Sequence, residues 1–295
     1  MENIKTQARE VGVIPLATVS ALSANPAESP NLVFIHMSWG GSWVFKNYIN
    51  FFAKTGYNCY ALDLRGHNKS GGSVEGATMQ DYVNDVQSVV AALGARDPII
   101  IGHSMGGLIA LMYSSQFVAS ATISLDGSPP LEVQKASEEK TYPAAYKPQD
   151  AGMPSNPLKA MFKMGDINLW KLIKMKSKLG LESGIARSER EKGISIPKEK
   201  LMMPLLFIGA QYGASLPFGF GIEKVRQQAE YYGAPVIEIK GASHPGLLIG
   251  KHWKRSAQAI LEWLEEKNIT PRSKYNLSHK NKDKQTIVQT RSLSN

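Results

Sequence analysis

The chain has 295 residues, 43% of them hydrophobic, a formal net charge of +9 and a single cysteine, Cys59. That length and apolar content suit one large domain with an insertion, while one cysteine excludes an intramolecular disulfide and a cysteine metal cluster and fits a reducing, cytoplasmic setting. No run reaches the eighteen or so apolar residues that a membrane span needs. The mildly apolar stretch 11–24 is interrupted by Pro15 and preceded by Glu2 and Glu10, so it reads as the first strands of a sheet rather than as a signal sequence.

Taken in chain order, short β-branched runs predict strands at 32–35, 59–62, 99–101, 122–125, 205–208 and 236–239. Helical patterns alternate with them at 44–53, from Thr78 onward, and at 106–116, 222–232 and 252–267. After Thr78 the residues Met79, Tyr82, Val83, Val86, Val90 and Leu93 recur at three- and four-residue steps, with Thr78 and Asp81 as a capping pair. Such alternation predicts an α/β fold: a mostly parallel sheet flanked by helices on both faces.

The alternation stops between Pro129 and Pro204, where Lys, Met and Pro are frequent. The expected organisation is a core over 1–130 and 201–270, a helical cap over 131–200, and a basic, disordered tail over 271–295. Within the cap, apolar residues from 158 to 179 predict one or two amphipathic helices broken near Gly165, with Trp170 and the methionines either roofing a pocket or packing on the core. The excess charge is confined to these appendages: cap and tail carry +5 each, and the other 200 residues sum to about −1. No specific nucleic-acid partner is expected from that distribution. Weak contact with an anionic membrane surface through lid or tail stays open.

The most informative stretch is Ile99-Ile100-Ile101-Gly102-His103-Ser104-Met105-Gly106-Gly107-Leu108. A serine hydroxyl becomes a nucleophile when it stands on a sharp strand-to-helix turn, within reach of a base and beside backbone N–H groups. Gly102 and Gly106 fit because strand and helix nearly touch there. Ser104 is therefore the candidate nucleophile, the other reading being a chance glycine-rich turn. Of six histidines, His244 follows strand 236–239 by a short loop and is the candidate base, against a hydrogen-bonded loop histidine.

With His36-Met37-Ser38-Trp39-Gly40-Gly41-Ser42-Trp43, Asp63-Leu64-Arg65-Gly66-His67 and Gly241-Ala242-Ser243-His244, the elbow gives a sequence that resembles the α/β-hydrolase superfamily over residues 30–268. The resemblance implies a serine hydrolase acting on carboxylic esters, a small-molecule ester substrate, a lid insertion and no cofactor. It implies backbone donors from Met105 and Ser38 for the oxyanion, and a structural role for Asp63, Arg65 and His67. An aspartate nucleophile, as in the superfamily's dehalogenases and epoxide hydrolases, is absent. Lipase, thioesterase, lactonase, amidase, carbon–carbon bond hydrolase and perhydrolase chemistries survive, as does a non-catalytic ligand-binding descendant.

Two departures from the family pattern stand out. The loop 209–217 after strand 205–208 lacks the usual acid, and Gly213 stands where it is expected. Asp126, at the end of strand 122–125, is the candidate replacement, as in some members of the superfamily; the competing reading is an aspartate that caps the turn 126–129, and Glu223 is the runner-up. Met37 replaces a usual glycine, which would cost strain if that position required positive φ. Met37, Trp39 and Trp170 are the candidate pocket residues, with Trp39 and Trp43 at the mouth, the competing reading for these two being simple packing.

Overall fold

The computed structural model describes residues 6–11, 13–134, 141–215 and 219–271. The tail expected to be disordered, including His279, falls outside them but for its first residue. Its strands are β1 (Thr6–Val11), β2 (Leu16–Ala21), β3 (Asn31–Ile35), β4 (Asn58–Leu62), β5 (Ile99–His103), β6 (Ala121–Leu125), β7 (Ala145–Tyr146), β8 (Glu182–Ser183), β9 (Leu205–Tyr212) and β10 (Val236–Ser243). Helices are α1 (Lys46–Lys54), α2 (Met79–Leu93), α3 (Met105–Ser114), α4 (Pro157–Met164), α5 (Leu169–Lys176), α6 (Gly184–Lys192), α7 (Gly221–Tyr232) and α8 (Trp253–Glu266). The eight-stranded sheet runs β1-β2-β4-β3-β5-β6-β9-β10, antiparallel at β1/β2 and β2/β4 and parallel elsewhere.

The parallel strands are buried on both faces, which is why they read as continuous apolar runs. Alternate residues serve opposite layers: Leu32, Phe34, Ile99 and Ile101 join the cluster under α1 and α8, whereas Val33, Ile35 and Ile100 join the one under α2, α3 and α7. Helix α2 starts with the expected reciprocal cap, Thr78 Oγ1 accepting from Asp81 N at 3.0 Å and Thr78 N donating to Asp81 Oδ2 at 3.0 Å, and ends at Gly94 in the left-handed region. The stretch 11–24 holds all of β2 but only the last residue of β1, because the segment with Pro15 makes the turn between them.

Between β6 and β9 the insertion carries α4, α5, α6 and the small β7/β8 sheet. The break near Gly165 is a left-handed C-cap, φ +70°, that ends α4. Met153, Ala160, Met164, Ile167, Leu172 and Met175 form a separate small core there, packed against Trp43, Leu179 and Ile249. Helix α6, polar along its length, was not signalled by apolar periodicity. Among the described residues no helix is long and apolar enough to cross a membrane.

Candidate active site

Ser104 lies between β5 and α3 with φ +57° and ψ −120°, a conformation that costs a non-glycine residue of order 1–3 kcal/mol. The turn is held by Ser104 N donating to Leu125 O at 3.0 Å and by Gly107 N and Ser128 N donating to Ser104 O, each at 2.9 Å. Its tightness explains the glycines: a Cβ on Gly102 would sit 1.9 Å from Gly106 O, and one on Gly106 would sit 2.3 Å from Ile35 O. The backbone N–H groups of Met105, at the first position of α3, and of Ser38 have no acceptor among the described residues. The two residues touch through their side chains, Ser38 Oγ donating to Met105 Sδ at 3.4 Å.

His244 follows β10, and its Nδ1 lies 2.5 Å from Asp126 Oδ2 across 118 residues of chain, with both side chains at most 2% exposed. A carboxylate only accepts, so Nδ1 carries the hydrogen and Nε2 is the basic nitrogen. Asp126 adopts φ +44°, and its N donates to Ile208 O at 2.6 Å, which fixes the loop after β6 against β9. A Cβ added to Gly213 would lie 2.7 Å from Asp126 Oδ2 and 3.0 Å from Oδ1. The loop after β9 thus converges on the place that the Asp126 carboxylate fills. Glu223 is far from this role, 75% exposed and paired with Arg226 at 2.8 Å.

Three further contacts hold the His244 loop. His103 donates from Nε2 to His244 O at 2.9 Å with ring centroids 4.5 Å apart; burial, and then the neighbouring imidazole, push its pKa well below the ordinary value, so it stays neutral. Asp166, at the junction of α4 and α5, accepts from Ser243 N at 3.1 Å and Ser243 Oγ at 2.6 Å. The insertion therefore grips the residue next to His244.

A family model described as the alpha/beta hydrolase fold matches residues 30–153. A bifunctional esterase/perhydrolase of Acinetobacter calcoaceticus is 32% identical over 125 residues, 40% of this chain and 44% of that protein. A non-heme haloperoxidase of Rhodococcus erythropolis is 34% identical over 116 residues, 38% and 42% of the two chains. The matches span less than half the length of these curated relatives. An esterase from Exiguobacterium antarcticum superposes with TM-score 0.69 at 15% identity, covering 88% of this chain and all of the other. The chain has the α/β-hydrolase fold.

Within this fold Ser104 and His244 line a small cavity of about 20 Å³. Its apolar wall is Met37, Trp39, Pro245 and, from the insertion, Met153, Met175 and Leu179; Ser38, Arg187 and Arg190 are its other polar members. Met37 and Trp39 thus lie where the sequence reading expects them. Trp170 does not: it is 80% exposed and absent from the wall. In α5 the inward residues are Leu172 and Met175, and Trp170, two positions before Leu172, points about 200° away from it. Trp43 sits beside the cavity rather than at its mouth, in a neighbouring groove under Lys178, whose Nζ is 5.4 Å from the ring centroid.

The strain anticipated at Met37 falls elsewhere. Met37 is not among the residues with positive φ, whereas Trp39 has φ +62°. Met37 O instead accepts from His36 Nδ1 at 2.7 Å and Gly40 N at 3.1 Å, and Leu64 N donates to His36 Nε2 at 3.1 Å. Burial, with His67 adjacent, lowers the His36 pKa to about 4, which keeps this strut neutral.

The Asp63–His67 segment is built as scaffold. Asp63 accepts from Ser42 N at 2.5 Å and Asn68 Nδ2 at 2.7 Å, and Arg65 pairs with Asp85 and Asp81, each at 2.8 Å. Asn68 itself takes the left-handed φ of +46° that suits asparagine. His67 differs in reaching the insertion: its Nε2 lies 3.3 Å from Glu182 Oε2. Glu182 is fully buried and also accepts from Tyr82 Oη at 2.7 Å, Trp39 N at 3.3 Å and Ser183 N at 2.8 Å. Burial alone would raise its pKa, but the His67 charge and these donors bring it down to about 2. Glu182, Asp166, Arg187 and Arg190 carry no sequence signal beyond a charged, solvated-looking stretch, and it is the fold of the insertion that turns them inward.

Proposed function

We propose that the protein is a serine hydrolase that cleaves carboxylic esters of small to medium hydrophobic substrates through an acyl-enzyme. Ser104 Oγ attacks the ester carbonyl carbon while His244 Nε2 takes its proton; the tetrahedral oxyanion rests on the N–H groups of Met105 and Ser38; collapse breaks the carbon–oxygen ester bond, and the leaving alcohol takes the proton from His244. Water then repeats the sequence on the acyl-enzyme, giving up its proton to His244 and releasing the acid with Ser104 restored. The observation that carries the reading is the buried 2.5 Å contact of His244 with Asp126 beside a serine held at positive φ. The relatives' printed activities, esterase and perhydrolase among them, support it, and the narrow Met-lined cavity suits short to medium chains. A lid role for the 131–200 segment and a cytoplasmic setting belong to the same proposal.

The test is labelling with a fluorophosphonate probe followed by p-nitrophenyl esters from acetate to palmitate. We expect Ser104 to be labelled and acetate-to-octanoate esters to be preferred. No labelling of the folded protein favours a binding module, preference for palmitate favours a lipase, and acid-dependent peroxyacid formation from hydrogen peroxide favours a perhydrolase on the same triad.

A membrane-surface contact through the insertion is favoured by one observation. Leu158 and Phe162 on α4 and Trp170 and Ile173 on α5 are 40–82% exposed between Lys159, Lys163, Lys171 and Lys174, the composition of an interfacial anchor. Co-sedimentation with phosphatidylglycerol vesicles that is lost in Phe162→Ser/Trp170→Ser supports it; equal recovery of both proteins in the supernatant removes it.

A further inference from the structure

Helix α6 places Arg187 and Arg190 three residues apart, and both line the cavity that holds Ser104 and His244. Among the described residues no acidic side chain lines that cavity. Arg187 is matched: Glu191 lies 2.7 Å away, and the guanidinium rests 5.7 Å from the Tyr142 ring centroid. Arg190 is not. It is 7% exposed, its Nε donates to Ala186 O at 3.3 Å within its own helix, and its Nη2 is buried with no partner.

Glu182, which feels the Arg190 charge, already has its acceptor positions used. A carboxylate has about four acceptor positions, and Glu182 fills them with Tyr82 Oη and Ser183 N on Oε1 and His67 Nε2 and Trp39 N on Oε2. The buried hydroxyl of Tyr146 lies beside Arg190, whose charge and side-chain contact oppose the rise that burial gives the tyrosine pKa. A guanidinium kept out of water with an unpaired N–H is costly and persists where a ligand supplies the acceptor. The planar guanidinium fork matches a carboxylate. A buried guanidinium with a free N–H, in a wall whose apolar part is Met, Trp, Leu and Pro and which holds no acid, suits a monoanion at the end of an apolar body.

We infer that the substrate carries a carboxylate remote from the ester bond, held by Arg190 with Tyr146 beside it, as in a half-ester of a short dicarboxylic acid. This rests on the hydrolase reading and narrows its substrate class. Charge-assisted pairing in a desolvated site predicts a preference of about 10- to 100-fold in kcat/KM for the charged member of an isosteric pair.

Two pairs test it: p-nitrophenyl hemiglutarate against p-nitrophenyl pentanoate, and 4-(butyryloxy)benzoate against phenyl butyrate. We expect the wild type to prefer the charged ester in at least one pair, Arg190→Met to abolish that preference, and Arg190→Lys to keep part of it. Free glutarate should raise the melting temperature of the wild type and not of Arg190→Met, a readout that needs no turnover. Preference for the neutral ester in both pairs, or equal stabilisation of wild type and Arg190→Met by glutarate, overturns the proposal; if neither variant folds, the wild-type preference and its response to glutarate decide. Fluorophosphonate labelling of Ser104 separates the outcomes, since a labelled enzyme without the preference sinks only the carboxylate, and an unlabelled one sinks the hydrolase.

Discussion

Replacing Asp126 by asparagine isolates the carboxylate. Asparagine tolerates the φ of +44° at this position, so the loop after β6 keeps its path. What changes is one acceptor: Oδ2 takes the His244 Nδ1 hydrogen at 2.5 Å, both partners are buried, and Oδ1 has no partner that could take over. An amide that presents its NH₂ to Nδ1 forces the hydrogen onto Nε2, the tautomer that cannot accept a proton from Ser104. By analogy with triads where this swap has been made, turnover falls about 10⁴-fold, or about 5 kcal/mol of barrier. Stopped-flow hydrolysis of p-nitrophenyl butyrate, with circular dichroism to show an intact fold, measures it, and a loss below tenfold would refute the assignment. Gly213 supplies an internal control. Its added Cβ would lie 2.7 Å from Asp126 Oδ2, so Gly213→Asp in the wild type crowds the site and lowers both activity and stability. In an Asp126→Gly background, where the space is empty and positive φ is free, the same change should recover about 10² of the lost rate. Recovery of nothing would show that the two positions do not address the same nitrogen.

Three other outcomes follow from the geometry. Gly102→Ala puts a Cβ 1.9 Å from Gly106 O, so it should cost about 3 kcal/mol or prevent folding, and a urea midpoint near that of the wild type contradicts the close approach of strand and helix. Asp166→Asn weakens the grip on Ser243 N and Oγ and should slow fluorophosphonate labelling about tenfold by loosening the loop that bears His244; labelling at the wild-type rate would make Asp166 structural only. Glu182 is held at about 2, below its ordinary 4.5, so the unfolded chain takes up its proton first and the stability it contributes, about 3 kcal/mol, is complete above about pH 4.5 and lost as pH falls toward 2. Urea midpoints from pH 6 to 3 should therefore fall less steeply in Glu182→Gln, and parallel curves would refute this.

The sequence by itself determined the sheet, the sharp turn at Ser104 and the placing of His244 just after β10. Parallel strands buried on both faces must be apolar throughout, α2 announces its start by Thr78 and Asp81, and the glycines around Ser104 are demanded by local sterics, so each is legible in a few consecutive residues. Asp126 was legible only in part, through the missing acid after β9; that its carboxylate fills the space over Gly213 is a fact of two loops 87 residues apart. The tertiary structure alone decided the rest. It turned Trp170 outward, moved the strained backbone from Met37 to Trp39, and brought Glu182, Asp166 and Arg190, charged residues in a polar stretch, into buried positions. A charged side chain is driven inward by partners contributed from distant segments, not by its neighbours in the chain, and no periodicity records those partners.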